Sequence, residues 1–311
     1  DASQDDADFA FNVEGSSTRD TFVKRNDGVD NNIDFDGNDG NDNFILNGGD
    51  AGSTTEYSGG AGYDSLTLSG GQITDDGFVN MDTIENLDAE VGVGVNARLG
   101  AEADEAGLTN ITGSDANDDV ETDMQFNNDL YVQMGGGDDN FDFNASSGAI
   151  TFFTGASDVD ANDTLTGGTG DGDELRLLAD NGTADLSNTT GVETVTVLEN
   201  GDNSAGVTIT DNTFNGVADG EIDVNASDLD DTGAFLPEGG LTVNAGGVTT
   251  GILDVVGGTG NDDITTGGGA DTVASGDGND VVNSGAGADT VLLGAGNDAA
   301  TTGAGADNVD A

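Results

Sequence analysis

The chain has 311 residues, of which 62 are acidic and 5 basic, for a formal net charge of -57. That balance removes nucleic acids and anionic membrane surfaces as electrostatic partners, because both are recognised through Lys/Arg clusters, and it makes cations the natural ones. With no Cys and no His, disulfide frameworks, thiolate or imidazole zinc sites and Ser/His/Asp or Cys/His nucleophilic machinery are excluded as well.

Only twelve of the acids are glutamate, so the excess is aspartate, the short carboxylate suited to tight turns and loop-borne metal sites. The 53 glycines and the charge suggest disorder, but 34% of the residues are hydrophobic and recur at ordered spacings, which argues against it. The length fits two or three units or one long array. No segment reaches the ~18 apolar residues of a membrane span, and no basic-then-apolar signal opens the chain. A missing initiator Met and a stop directly after a completed repeat suggest a piece of a longer chain. Lys24, the single lysine, lies in no P-loop pattern.

In chain order, residues 1–14 read as a connector. A first module is expected over 15–112. It opens with GSSTRDTFV (15–23, acid Asp20), continues through DFDGND (Asp34, Asp36, Asn38) and reaches GGAGYDSLT (59–67, acid Asp64). Glu85 in MDTIENL follows, and ARLGAEADEAGL (97–108) looks briefly helical. A second module is expected over 113–235, with GSDANDDVE (113–121, Asp118), MGGGDDNFD (134–142, Asp139), DVDANDTLT (158–166, Asp163) and GGTGDGDEL (167–175, Asp173). Gly59 and Glu85 recur 108 residues later as Gly167 and Glu193, which is the basis for the tandem division. Glu85 and Glu193 are left open between ligands and solvent-facing strand residues. Stretches of period two, SLTLSG, VTVLENG, GVTITDN, EIDVNAS and LTVNAGG, read as strands. DFDGND and DVDAND lack the sixth-position glycine and twelfth-position glutamate of an EF-hand and are taken as irregular calcium loops. Residues 236–256, with the only proline (Pro237), form a connector strand.

From Gly257 six nonapeptides run without a gap to Asp310: GGTGNDDIT, TGGGADTVA, SGDGNDVVN, SGAGADTVL, LGAGNDAAT and TGAGADNVD. Glycine holds position 2 (Gly258, Gly267, Gly276, Gly285, Gly294, Gly303) and position 4 (Gly260, Gly269, Gly278, Gly287, Gly296, Gly305), and aspartate holds position 6 (Asp262, Asp271, Asp280, Asp289, Asp298, Asp307). The aliphatic residue at position 8 makes a three-residue strand with one inward side chain. Position 5 alternates Asn261, Ala270, Asn279, Ala288, Asn297, Ala306. The true period is therefore eighteen, two units per coil, with an Asn ladder on one flank and an Ala column on the other. The stacked aspartates, Asp262/Asp280/Asp298 and Asp271/Asp289/Asp307, repel by about 1 kcal/mol per neighbour in water and by more where buried. No basic residue lies in 257–311. A hard divalent cation between turns, held by the carboxylates and by carbonyls that the glycine turns expose, offsets that repulsion, and Ca2+ best suits an irregular all-oxygen site. The segment is expected to be disordered without calcium and to fold with it.

These six units resemble the RTX (repeats-in-toxin) calcium-binding nonapeptide family, whose pattern is G-G-x-G-x-D-x-U-x. The resemblance implies an all-β chain, a right-handed parallel β-solenoid or β-roll whose GGxGxD loops bind multiple Ca2+ ions, with irregular β-helical modules before the regular roll. Carried to the isolated units, it implies metal ligation at Asp20, Asp64, Asp118, Asp139, Asp163 and Asp173, and it implies type I export to the cell exterior. The mix of Gly-Asp units with strands such as GVETVTV and turns such as VNASDLDDTG is similar to Gram-negative surface-layer proteins. That likeness implies a non-enzymatic structural protein whose partners are other copies of itself, through Ca2+, and cell-surface polysaccharide. The stalk of a large adhesin and the RTX tail of an exported enzyme are the alternatives. A paired-carboxylate glycosidase is disfavoured, since aromatic residues for stacking on sugars are few and Trp is absent.

Overall fold

The computed structural model describes residues 11–24, 33–51, 55–123, 125–170, 172–201, 203–229 and 239–311. Pro237 and most of the 1–14 connector lie outside them. Strands of two to six residues alternate with turns along the described chain, and the one α-helix among these residues is Ala101–Glu105. The strands are short because each exposes a turn-forming Gly, Asp or Asn within a few residues of its apolar position, and they are strands because side chains alternate inward and outward, as in Leu130–Gln133 and Ile150–Gly155.

All neighbouring strands pair in parallel. One face is a 14-stranded sheet that runs unbroken from Thr21–Val23 to Asn308–Asp310. The opposite face is divided into sheets of four, five and six strands, beginning at Phe11–Glu14, Asn96–Leu99 and Thr183–Asp185 in chain order. Together they make a β-solenoid of about 13 turns. A parallel pair needs a crossover rather than a hairpin, and here each crossover is the opposite side of the same coil.

Coil length reports how regular the sequence is. Phe22 pairs with Phe44 and Phe44 with Leu66 at the amino end, Ala205 pairs with Leu241 at the longest step, and in the roll Val273 pairs with Val255 and Val291 at the eighteen-residue step expected from the Asn/Ala alternation. Asn110–Thr112 pairs with strands on both sides, so the sheet is continuous across residues 112 and 113. Helical structure in 97–108 is narrower than its composition suggests. Asn96–Leu99 is a strand, Gly100 follows it, and the Asp75 carboxylate accepts the N–H groups of Gly100, Glu102 and Ala103 at the start of the short helix.

The interior lies between the two faces. Near the amino end Phe22, Phe35, Phe44 and Tyr57 pack ring on ring, and in the middle Phe141, Phe143 and Phe152 do the same. In the roll the interior thins to single aliphatics, Ile264, Val273, Val282 and Val291, all buried. Ala300 and Val309, in the final strands, are exposed. Each turn of the roll thus buries little apolar surface, at roughly 25 cal/mol per Å², against many glycines whose ordering is costly.

Candidate metal centre

The sixth-position aspartates stand immediately before their strands. Asp20 precedes Thr21–Val23, Asp64 precedes Ser65–Leu68, Asp139 precedes Asn140–Asp142, Asp262 precedes Asp263–Thr265 and Asp271 precedes Thr272–Ala274. That place puts each carboxylate at the seam between loop and sheet, where the aspartate's own N–H, one residue before the strand, points along the stack. The carboxylate of the next coil accepts it. Asp42 Oδ1 accepts the Asp20 N–H and Asp64 Oδ1 the Asp42 N–H, both at 2.6 Å. In the roll Asp280 and Asp298 accept from Asp262 and Asp280 at 3.0 Å, and Asp289 and Asp307 accept from Asp271 and Asp289 at 3.1 and 3.2 Å.

Five columns result among the described residues. Asp20, Asp42, Asp64 and Glu85 form the first; Asp118, Asp139 and Asp163 the second, on the opposite face; Asp173 and Glu193 the third. Asp262, Asp280 and Asp298, and Asp271, Asp289 and Asp307, form the two columns of the roll. Their uppermost members accept the N–H groups of Leu241 and Leu253. All the aspartates expected as ligands from the sequence therefore fall in columns, and in the roll they alternate between the two faces as the eighteen-residue period requires.

Two of the three column members left open or unnoticed by sequence are the glutamates. Glu85 Oε2 accepts the Asp64 N–H at 2.7 Å and Glu193 Oε2 accepts the Asp173 N–H at 2.9 Å, so the recurring pair makes the same contact in both places. Asp42 is the third. The stretch GNDGNDNFI, residues 37–45, carries glycine at position 4, aspartate at position 6 and Phe44 at position 8, a unit that the EF-hand-like reading of Asp34, Asp36 and Asn38 obscured. Asp36 and Asp160 instead accept the N–H groups of Asn38 and Asn162, making local Asx turns. A further carboxylate group lies on the outer surface of the long sheet, where Glu221, Asp223 and Asp254 come together from adjacent strands.

The loop glycines have two uses. At position 2, Gly276 and Gly285 take φ of +101° and +80°, which a side chain disfavours. A Cβ at Gly285 would also run into the Gly267 carbonyl of the preceding coil. At position 1, Gly257 lets Asp262 Oδ2 and the Ser275 carbonyl crowd over its α-carbon. The Asn ladder is present: Asn279 donates its N–H and Nδ2–H to Asn261 Oδ1, and Asn297 does the same to Asn279.

The electrostatics decide what the columns can hold. Asp262, Asp271 and Asp280 are buried, and the Oδ2 of each has no hydrogen-bond partner, as do those of Asp42, Asp64 and Asp139. Burial, with repulsion from Asp280, pushes the Asp262 carboxyl up to about 7 against the lowering effect of the Leu241 N–H. Burial, with repulsion from Asp118, Asp163 and Asp138, pushes Asp139 up to about 7. Asp64, Asp118, Asp163 and Asp271 are raised for the same primary reason. The ion pairs among the described residues join Arg98 to Asp119 and Glu121 and Arg176 to Glu174, away from these oxygens. Buried carboxylates lacking donors and countercharge are unstable unless protonated or bound to a cation. All available donors are oxygen, so the residues present fit calcium.

Residues 256–291 and 283–311 match the model of the RTX calcium-binding nonapeptide repeat family. Over those residues the C-terminal roll is similar to an array of RTX calcium-binding repeats. No curated protein and no solved structure matches the chain. Within the roll, the aspartates with orphaned Oδ2 atoms, Asp262, Asp271 and Asp280, and the carbonyls around the loop glycines are the groups that would hold Ca2+. The ion would supply the countercharge that the chain lacks. Beyond residue 256 towards the amino end the same column geometry continues, although the spacing of its glycines does not.

Proposed function

We propose that this chain is a secreted, non-enzymatic structural protein that binds several calcium ions and self-assembles at the cell surface into a surface layer or filament. A parallel sheet continuous over 14 strands, with buried acid columns lacking any protein countercharge, carries this reading. At about 4.8 Å per coil, 13 turns make a stiff rod roughly 60 Å long. Its surface is acidic enough that contacts between copies require cations to bridge them. Cell-surface polysaccharide is the second partner of this reading. No helix among the described residues is long and apolar enough to cross a membrane.

The same rod supports a second reading, the calcium-stiffened stalk of a large adhesin, because a continuous sheet transmits orientation over its whole length. Electron microscopy of purified protein across a calcium titration separates the two. Ordered sheets or filaments appearing with calcium support self-assembly, and monodisperse rods at every calcium concentration overturn it.

A further inference from the structure

The outer surface of the long sheet carries a group of side chains apart from the acid columns. Five consecutive strands of that sheet, Asn110–Thr112, Leu130–Gln133, Ile150–Gly155, Glu174–Leu178 and Thr194–Leu198, contain two charged residues, Glu174 and Arg176. These neutralise each other. Glu174 Oε2 accepts the Arg176 Nε–H at 2.9 Å and lies 2.9 Å from Nη2, while Glu174 Oε1 accepts the Thr196 hydroxyl at 2.6 Å. On a chain of net charge -57 the five strands form an electroneutral strip, with Asp88 on the strand before it and Glu221 and Asp223 on the strand after it.

Along two of these strands Leu130, Val132, Ile150 and Phe152 are buried, so the alternate residues Tyr131, Gln133, Thr151 and Phe153 face outward. Tyr131 and Phe153 stack on that outer surface with ring centroids 6.0 Å apart and planes at 28°. Every other ring pair among the described residues lies in the core. Tyr131 is 36% exposed. The negative face of an aromatic ring attracts C–H groups, and the neighbouring amide and hydroxyls supply both donors and acceptors.

We propose that this strip binds an uncharged polysaccharide, stacking the C–H faces of its sugar rings on Tyr131 and Phe153 and hydrogen-bonding its hydroxyls through Gln133, Thr151 and Arg176. The inference deepens the polysaccharide partner of the function proposed above by assigning it a surface and a charge class. Charge selects the class: acids on both flanks repel an anionic polymer, and a cationic one is drawn to those acids rather than to a neutral strip. Size argues against a second copy of the chain. At strand spacing and residue rise the strip measures roughly 19 by 7 Å, far below the about 800 Å² that each partner contributes to a stable protein interface. Glu174 is the single carboxylate of the five strands and is held by Arg176 and Thr196, so the strip lacks the paired acids of a glycosidase.

Affinity electrophoresis of the full, calcium-loaded chain through gels containing dextran, mannan or galactan, with dextran sulfate as the anionic comparison, tests the site. At least one neutral polymer should retard the chain, and dextran sulfate should not. Tyr131→Ala and Phe153→Ala should each weaken binding about tenfold. Tyr131→Phe, which keeps the ring, should weaken it far less, and Val91→Ala, in a fully exposed turn away from the strip, should leave it unchanged. The circular dichroism of all these variants should match that of the wild type, because the substituted side chains lie outside the core. No retardation by any neutral polymer, stronger retardation by dextran sulfate, or retardation that survives both ring substitutions overturns the site. A ring substitution that changes the sedimentation mass and not the glycan binding assigns the strip to a second copy and overturns it too. Failure of the chain to assemble with calcium while retardation persists overturns self-assembly alone, so the two failures are told apart.

Discussion

Replacing Asp262 by asparagine should stabilise the roll without calcium and weaken it with calcium. Asp262 is buried, its Oδ1 accepts the Leu241 N–H at 2.7 Å, and its Oδ2 faces the Ser275 carbonyl over Gly257 with no donor between them. Asparagine keeps the first acceptor and turns an N–H towards the carbonyl. Burial raises the carboxyl from 3.8 to about 7. Because the folded value lies above the unfolded one, the ion-free fold binds the extra proton between these limits. It loses stability as pH rises from about 4 to about 7, and above 7 the full penalty, on the order of 4 kcal/mol, applies. Hydrogen exchange of the full chain in chelator at pH 8 measures it. Amides of Leu241–Asn244 and of 257–311 should exchange more slowly in Asp262→Asn by up to about a thousandfold. Acidification to pH 5 should raise protection, taken relative to the intrinsic exchange rate at each pH, in the wild type and leave that of the variant nearly unchanged at this site. In saturating calcium the order reverses, because the variant has lost a charged ligand. Exchange in chelator as fast as, or faster than, wild type would refute the claim that this carboxylate is an uncompensated charge.

Chelation of the wild type should abolish exchange protection in 257–311 while leaving the middle coils protected, since Phe126, Phe141, Phe143 and Phe152 are fully buried there; uniform loss along the chain would count against a metal-independent body. Phe152→Ala should cost about 3–5 kcal/mol by urea denaturation followed by circular dichroism, with or without calcium. Gly285→Ala should disrupt the stack even in saturating calcium, through the positive φ and the Gly267 carbonyl, so a calcium titration should retain a deficit that no ion concentration restores. Asn279→Ala removes bonds on both sides of one ladder rung and should cost about 1 kcal/mol per bond, whereas a substitution of Ala288 on the other flank should be close to neutral.

The roll was legible because its geometry is periodic. Gly276, Asp280 and Val282 each have a fixed place in nine residues, and the Asn/Ala alternation doubles the repeat to the step at which Thr272 and Thr290 pair. The isolated units at 59–67, 134–142 and 167–175 could be found the same way, and their acids do enter columns. Asp42 was equally visible at nine-residue spacing and was hidden only by a competing pattern. Glu85 and Glu193 could not be placed from sequence, since a longer acid before a strand reads the same whether it faces solvent or reaches the preceding coil.

Sequence by itself determined the kind of structure and the kind of partner. Short apolar positions between glycine turns require stacked parallel strands, and an acid column with no base requires an external cation. Tertiary structure decided which acids are short of a partner. Asp20 and Asp42 occupy the same position of the same repeat, yet Ser16 satisfies one and nothing satisfies the other. That difference depends on where a loop's own N–H and hydroxyl groups point once the coils are stacked, and on which carbonyl the next coil brings beside them. Spacing along the chain carries neither.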